Sequence, residues 1–160
     1  MDDRLTVLKL YVQELGEQGD ITDFESRKRF QKTVYLGQLS GVDIGYRYGW
    51  YIKGPYSTGL TQDYYALADA VANGDDDHKK KSLNEAVRQK LARIKDLFSV
   101  PEGVDLDKAN WLELLASWHF LIVVSKKSVA DAINVMKAQK PALAAYLDPA
   151  DSVLRKFQLI

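Results

Sequence analysis

The segment from Lys108 to Val124 constrains the fold more than any other part of the chain. Its apolar residues would occur nearly all round a helix: Trp111, Leu112, Leu114, Leu115, Trp118, Phe120, Leu121 and Ile122. A helix that is hydrophobic on every side is buried among other elements. The sequence therefore predicts a central core helix with the rest of the chain packed around it.

The flanking segments show the periodicity of amphipathic helices, with Leu5, Leu8, Val12 and Leu15 as the first example. Together with the core helix, the pattern predicts six or seven helices; the others cover about 5–15, 23–40, 58–71, 83–98 and 128–140, with a short one after Asp148-Pro149. A polar connector at 74–81 is expected to be an exposed loop. With 160 residues, a hydrophobic content of 46% and no internal repeat, the chain is expected to form one domain, residues 1–160.

One segment changes from helical to alternating periodicity. Two sets of side chains alternate there, Tyr46, Tyr48, Trp50 and Ile52 with Arg47, Gly49, Tyr51 and Lys53. This pattern predicts a β-strand with two different faces, which Gly54-Pro55 ends. Ser57 is then expected to cap the next helix. The predicted fold class is mainly helical (α+β), with one small β-hairpin or wing.

The charges are sorted into blocks although the net charge is zero. Residues 26–53 hold six Lys or Arg against one acid, and residues 79–95 hold seven against one. The second predicted helix would carry Lys28, Arg29 and Lys32 on its exposed arc. Such blocks can form local basic patches, but solvated helix faces are the interpretation that we favour.

No catalytic residue, cofactor-binding residue or metal ligand is predicted. The chain has no cysteine and two histidines, His78 and His119, without metal-ligand spacing. His119 lies within the core segment, where a hydrogen-bonded structural role is favoured. Asp75, Asp76 and Asp77 lack the spacing of a calcium loop, and the glycines form no phosphate-binding motif.

Aromatic and basic residues interleave on the predicted strand and on the helix before it. Such a set can stack bases and neutralise phosphates, and it is also typical of protein interfaces. One face of the strand is expected to cover the core. The candidate contacts with a protein partner or nucleic acid are Arg29, Lys32, Arg47, Tyr51 and Lys53. Other residues of the same segments are interpreted as structural, because they would pack the helix and form the turn and cap that follow the strand. They include Gln31, Tyr35, Trp50, Gly54, Pro55 and Ser57.

Two motifs, Arg29–Leu36 and Trp50–Ser57, resemble those of the bacterial YwgA-like proteins and, more distantly, of the Panacea (SocA-like) antitoxin and phage-associated domains. The resemblance covers residues 5–70 well and 106–136 loosely, and it does not extend to 74–95 or to the C-terminal tail. It implies a compact helical fold with a small strand or hairpin, of which a winged helix is one form. For the Panacea-like relatives it also implies a binding role, and it carries over no catalytic residue.

Three functions are therefore considered. The first is a non-catalytic regulatory module, antitoxin-like or associated with phage defence, that binds a protein encoded nearby. The second is a winged-helix nucleic-acid binder, and the third is an enzyme that acts through carboxylates such as Asp20, Asp23 or Glu25. The acidic start of the chain is not that of a signal peptide, and Phe120–Val124 is too short to span a bilayer, so a cytoplasmic location is expected.

Overall fold

Eight α-helices and one antiparallel β-hairpin make up the structure, a computed structural model that describes residues 1–160. The helices are α1 (Asp3–Glu14), α2 (Phe24–Gln38), α3 (Thr58–Ala72), α4 (Glu85–Ile94), α5 (Lys108–His119), α6 (Val129–Gln139), α7 (Pro141–Ala144) and α8 (Leu147–Lys156). The strands are β1 (Gly49–Tyr51) and β2 (Gly54–Tyr56). Short 3₁₀ helices cover Asp77–Lys80 and Lys95–Phe98. The predicted fold class, mainly helical with one small hairpin, is confirmed.

Helix α5 is the central element, as predicted. Asp107 begins it by accepting a hydrogen bond from the Asn110 amide, and the helix packs against α2 and α8. Every residue from 111 to 121 is buried. A π-helical turn continues the helix through Phe120–Val124, where Val123 and Val124 become exposed. The buried part is therefore a little shorter than the apolar segment.

Helix α2 lies between two hydrophobic clusters, which explains why its apolar residues do not form one stripe. Phe30 and Val34 pack with α1 and α3, whereas Tyr35 and Leu36 pack in the larger cluster around α5. Asp23 caps the helix by accepting a hydrogen bond from the Ser26 amide. Helix α2 is therefore packed on two sides.

The hairpin is shorter than the predicted strand and is placed differently. Only Gly49–Tyr51 forms β1, and Gly54-Pro55 does not end a strand but begins β2, with Trp50 opposite Pro55. Both strands of a two-stranded sheet are edges, so proline is tolerated there. Ser57 follows at once and caps α3 by accepting a hydrogen bond from the Leu60 amide, as predicted.

The predicted exposed loop at 74–81 is only partly right. Most of the segment is exposed, but Asp77–Lys80 forms a 3₁₀ helix and His78 is buried within it.

Candidate functional site

A cavity of about 400 Å³ lies between the beginning of α2, the tip of the hairpin and α3. Its wall contains four cationic residues: Arg27, Lys28, Lys32 and Lys53. It also contains five aromatic residues: Phe24, Tyr51, Tyr56, Tyr64 and Tyr65. No aspartate or glutamate lines it. The cavity is therefore positively charged and largely aromatic.

A buried carboxylate, Glu113 of α5, lies behind the cavity and is shared by two buried lysines. One of its oxygens lies 3.1 Å from Nζ of Lys28, and the other accepts a hydrogen bond of 2.8 Å from Nζ of Lys140. All three side chains are nearly inaccessible to solvent. Both oxygens of Glu113 are thus engaged by these two lysines, and neither oxygen lies within 4.0 Å of a third buried lysine nearby.

Lys32 is that third lysine, and it has no carboxylate within 4.0 Å. Its side chain is only 1% exposed, and its Nζ donates a hydrogen bond of 2.6 Å to the carbonyl of Pro55 in β2. Burial lowers the pKa of Lys32 to about 7; Glu113 opposes this shift, and the positive charges of Lys140 and Lys28 add to it.

Lys140 binds the other side of the hairpin tip. Its Nζ donates a hydrogen bond of 2.7 Å to the carbonyl of Ile52, and it lies 5.5 Å from the centre of the Trp50 ring. Burial also lowers the pKa of Lys140, against the effect of Glu113. Two buried amines thus hold the hairpin in place, Lys140 at the turn and Lys32 at β2.

The hairpin also requires a glycine where it meets α5. Gly54 has a φ of +89°, and a Cβ at this position would collide with the hydroxyl of Ser117. Glycine therefore lets the tip of the hairpin lie directly on the core helix beside Lys32.

The five predicted contact residues do not form one surface. Tyr51 and Lys53 are exposed and line the cavity, whereas Arg29 pairs with Glu17 beside a separate cavity of about 190 Å³. Arg47 is exposed and pairs with Asp43.

The prediction that Lys28 and Lys32 lie on the exposed arc of α2 is wrong. The packing of the hairpin and α5 against α2 covers that side of the helix. Lys32 reaches the cavity only from its inner wall.

The residues interpreted as structural make contacts with other residues in the interior or at the hairpin. Tyr35 and His119 Nδ1 share a buried hydrogen bond of 2.7 Å, and burial lowers the pKa of His119 to about 4. Trp50 packs on Phe120 and donates to Gln139. Gln31 binds the backbone of Ser57 at the start of α3, whereas Gly54 lies against Ser117 of α5 and the carbonyl of Pro55 accepts from Lys32.

Sequence reasoning missed the buried charges of Lys28, Glu113 and Lys140. One signal was available, because Glu113 stands alone among apolar residues in the core helix, where an ionised group needs a partner. Phe24, Arg27 and Tyr65 were also not singled out as candidates.

Other features of the sequence lie outside the cavity. The carboxylates considered for catalysis serve the start of α2: Asp23 caps the helix, and Asp20 accepts hydrogen bonds from Thr22 and Ser26. None of the lysines and arginines of residues 79–95 lines the cavity. The two basic blocks of the sequence therefore do not meet there.

Comparison with protein-family models, curated proteins and solved structures found no match to this chain. No helix of the structure is both long enough and apolar enough to cross a membrane.

Proposed function

We propose that this protein is a non-catalytic regulatory module that binds a protein partner at the rim of the cavity, in the manner of an antitoxin or a phage-defence regulator. The observation that carries the proposal is a cluster of exposed apolar side chains at that rim. Phe24, Tyr51, Ile52 and Tyr65 are 52%, 51%, 86% and 47% exposed, and all four line the same cavity.

Clustering distinguishes these residues from ordinary exposed hydrophobic side chains. Apolar residues scattered singly over a surface need no explanation, whereas a contiguous apolar patch is typical of an interaction site. Aromatic side chains at the centre of such a patch supply most of the binding free energy in many interfaces.

The charges of the rim indicate the chemistry of the partner. Arg27 and Lys53 have no carboxylate within 4.0 Å, and no acidic residue lines the cavity. A partner segment with apolar side chains next to aspartate or glutamate would complement this rim, since charge complementarity speeds association and excludes wrong partners. We also propose that the protein is cytoplasmic and that it is related to the YwgA-like and Panacea-like proteins.

The test is direct binding between the purified protein and the purified products of the genes next to its own. Ile52→Glu and Lys53→Glu should each weaken binding about tenfold or more, because both lie in the proposed interface. Val124→Glu is the matched control, since Val124 is also exposed but lies outside the cavity. Equal losses in all three variants, or no binding to any neighbouring product, would contradict the proposal.

A nucleic acid is the second candidate ligand of the rim. Tyr51 and Tyr65 are exposed beside Arg27 and Lys53, and aromatic rings next to cations can stack bases while neutralising phosphates. Reading of duplex DNA by α2 as a recognition helix is not favoured, because most of α2 is buried. Binding of an oligonucleotide that weakens with rising salt and with Tyr51→Ala would support this candidate; undetectable binding at low salt would remove it.

A further inference from the structure

The inner end of the cavity holds more buried positive charge than the surrounding carboxylates neutralise. Lys28, Lys32 and Lys140 are all buried around one carboxylate, that of Glu113. Lys28 and Lys140 each pair with Glu113, and Lys28 also pairs with Glu25 at the surface. Lys32 has only the carbonyl of Pro55 as a partner.

Burying an ammonium group without an opposite charge is strongly unfavourable. A protein that only needed to fill this space could do so with an apolar side chain. The position of Lys32 in the wall of a cavity provides a different explanation, because an anion entering the cavity could supply the missing negative charge.

The size and the wall of the cavity limit what that anion can be. About 400 Å³ is within the range of small-molecule sites, which are mainly apolar with a few well-placed polar groups. Tyr51 packs edge-on against Tyr56 with ring centres 5.2 Å apart, and Tyr64 and Tyr65 form a similar pair at 5.0 Å. Such a wall favours a flat, aromatic ligand body.

We propose that the cavity binds a small aromatic anion, with its carboxylate or phosphate group against Lys32 and its ring among the tyrosines. This site shares Tyr51 and Tyr65 with the proposed partner surface but adds the inner wall at Lys32, and it does not depend on the existence of a protein partner. A ligand here would also place a small molecule directly beneath the rim.

Binding of this kind is coupled to protonation of Lys32. The charged groups that act on its amine are Lys28 on the same helix, Glu113 on α5 and Lys140 after α6. In the free protein, burial lowers the pKa of Lys32 to about 7, and a bound anion raises it again by favouring the ammonium form. Above that pH, binding therefore takes up a proton, and the affinity falls as the pH rises.

The experiment is isothermal titration calorimetry of the whole protein with three probes: benzoate, phenyl phosphate and the neutral analogue benzamide. At least one of the two anions should bind about tenfold more tightly than benzamide, because a charge-assisted hydrogen bond is available only to the anions. Tighter binding of benzoate identifies a carboxylate ligand, and tighter binding of phenyl phosphate identifies a phosphate ligand. The proposal is overturned if neither anion binds better than benzamide.

Lys32→Met should weaken binding of the preferred anion about tenfold and remove the dependence of that binding on pH. Lys79 is an exposed lysine outside the cavity, so Lys79→Met should change neither.

A second measurement needs no variant. Titrations of the wild-type protein with the preferred anion at pH 8, in buffers of different ionisation enthalpy, should reveal uptake of a fraction of a proton per ligand. Absence of proton uptake, or an unchanged affinity in a folded Lys32→Met protein, would overturn the assignment to Lys32.

Discussion

Gln31 and Ser57 exchange two hydrogen bonds across the junction between α2 and α3. Gln31 Nε2 donates to the carbonyl of Ser57 at 2.9 Å, and Gln31 Oε1 accepts from the Ser57 amide at the same distance. Nε2 also donates to the hydroxyl of Thr61. The amide side chain thus satisfies both backbone groups of a buried residue that itself caps α3.

Gln31→Glu is expected to lower the free energy of unfolding by about 1–3 kcal/mol. The carboxylate can still accept from the Ser57 amide, but it cannot donate to the carbonyl of Ser57, which keeps only the 3.2 Å hydrogen bonds from the Thr61 amide and hydroxyl. The substitution also buries a negative charge beside that carbonyl oxygen. Urea denaturation measures the change. Gln62→Glu, an exposed change in α3, is the control and should remain within about 0.5 kcal/mol of the wild type; equal effects of the two substitutions would contradict the assigned role of Gln31.

Gly54→Ala should destabilise the protein more than Gly74→Ala does. Both glycines have a positive φ, +89° and +86°, so alanine is strained at either position by about 1–2 kcal/mol. Only Gly54 lies against another residue, because a Cβ there would collide with the Ser117 hydroxyl while Gly74 faces open space. The difference is expected to be about 1–3 kcal/mol in thermal or urea unfolding.

The double variant Gly54→Ala with Ser117→Ala checks the cause of that difference. Removing the hydroxyl leaves the Ser117 Cβ at 3.6 Å, an ordinary contact distance, so most of the excess should be recovered. If the double variant is no more stable than Gly54→Ala, the collision does not explain the effect.

Glu113→Gln should be among the most destabilising single changes in the chain, at about 3–5 kcal/mol, since it leaves Lys28 and Lys140 buried without their shared counter-charge. The exposed pair of Glu85 and Arg88 provides the control, and Glu85→Gln should cost less than about 1 kcal/mol. Adding Lys140→Met to Glu113→Gln should restore part of the loss. A loss below about 1 kcal/mol for Glu113→Gln alone would show that the cluster is not electrostatically coupled.

The sequence predicts the helices and the central position of α5 because both depend on local periodicity. It predicts the cap at Ser57 because that cap is a short-range hydrogen bond. The extent of the hairpin could not, since Tyr46 and Tyr48 alternate like strand residues but pack against the cores on either side of α2. Their alternation reflects packing against these two clusters and not a β ladder.

Only the part of the candidate site that lies on one short segment could be predicted from the sequence. Tyr51 and Lys53 were found because they alternate with Trp50 and Ile52 on one short segment, although Ile52 is itself exposed. The pairing of Lys28 with Glu113 joins residues that are far apart in the sequence, and no local pattern reports it. Arg29 and Lys32 looked equivalent on one helix, yet one reaches the surface while the other lies beneath the hairpin.

The stability of the protein relative to its Lys32→Met variant should rise with pH. Below about pH 7 the amine is charged in both the folded and the unfolded chain, so the folded state bears the full unfavourable effect of burying it. Between about pH 7 and the ordinary lysine value of 10.5, the unfolded chain binds a proton that the folded chain does not. The difference in unfolding free energy should therefore shift in favour of the wild type by up to about 1.4 kcal/mol per pH unit in this range. Urea denaturation of both proteins at pH 6 and pH 9, with Lys79→Met as the exposed control, measures it; a difference that stays flat or falls would mean that Lys32 remains charged in the folded protein.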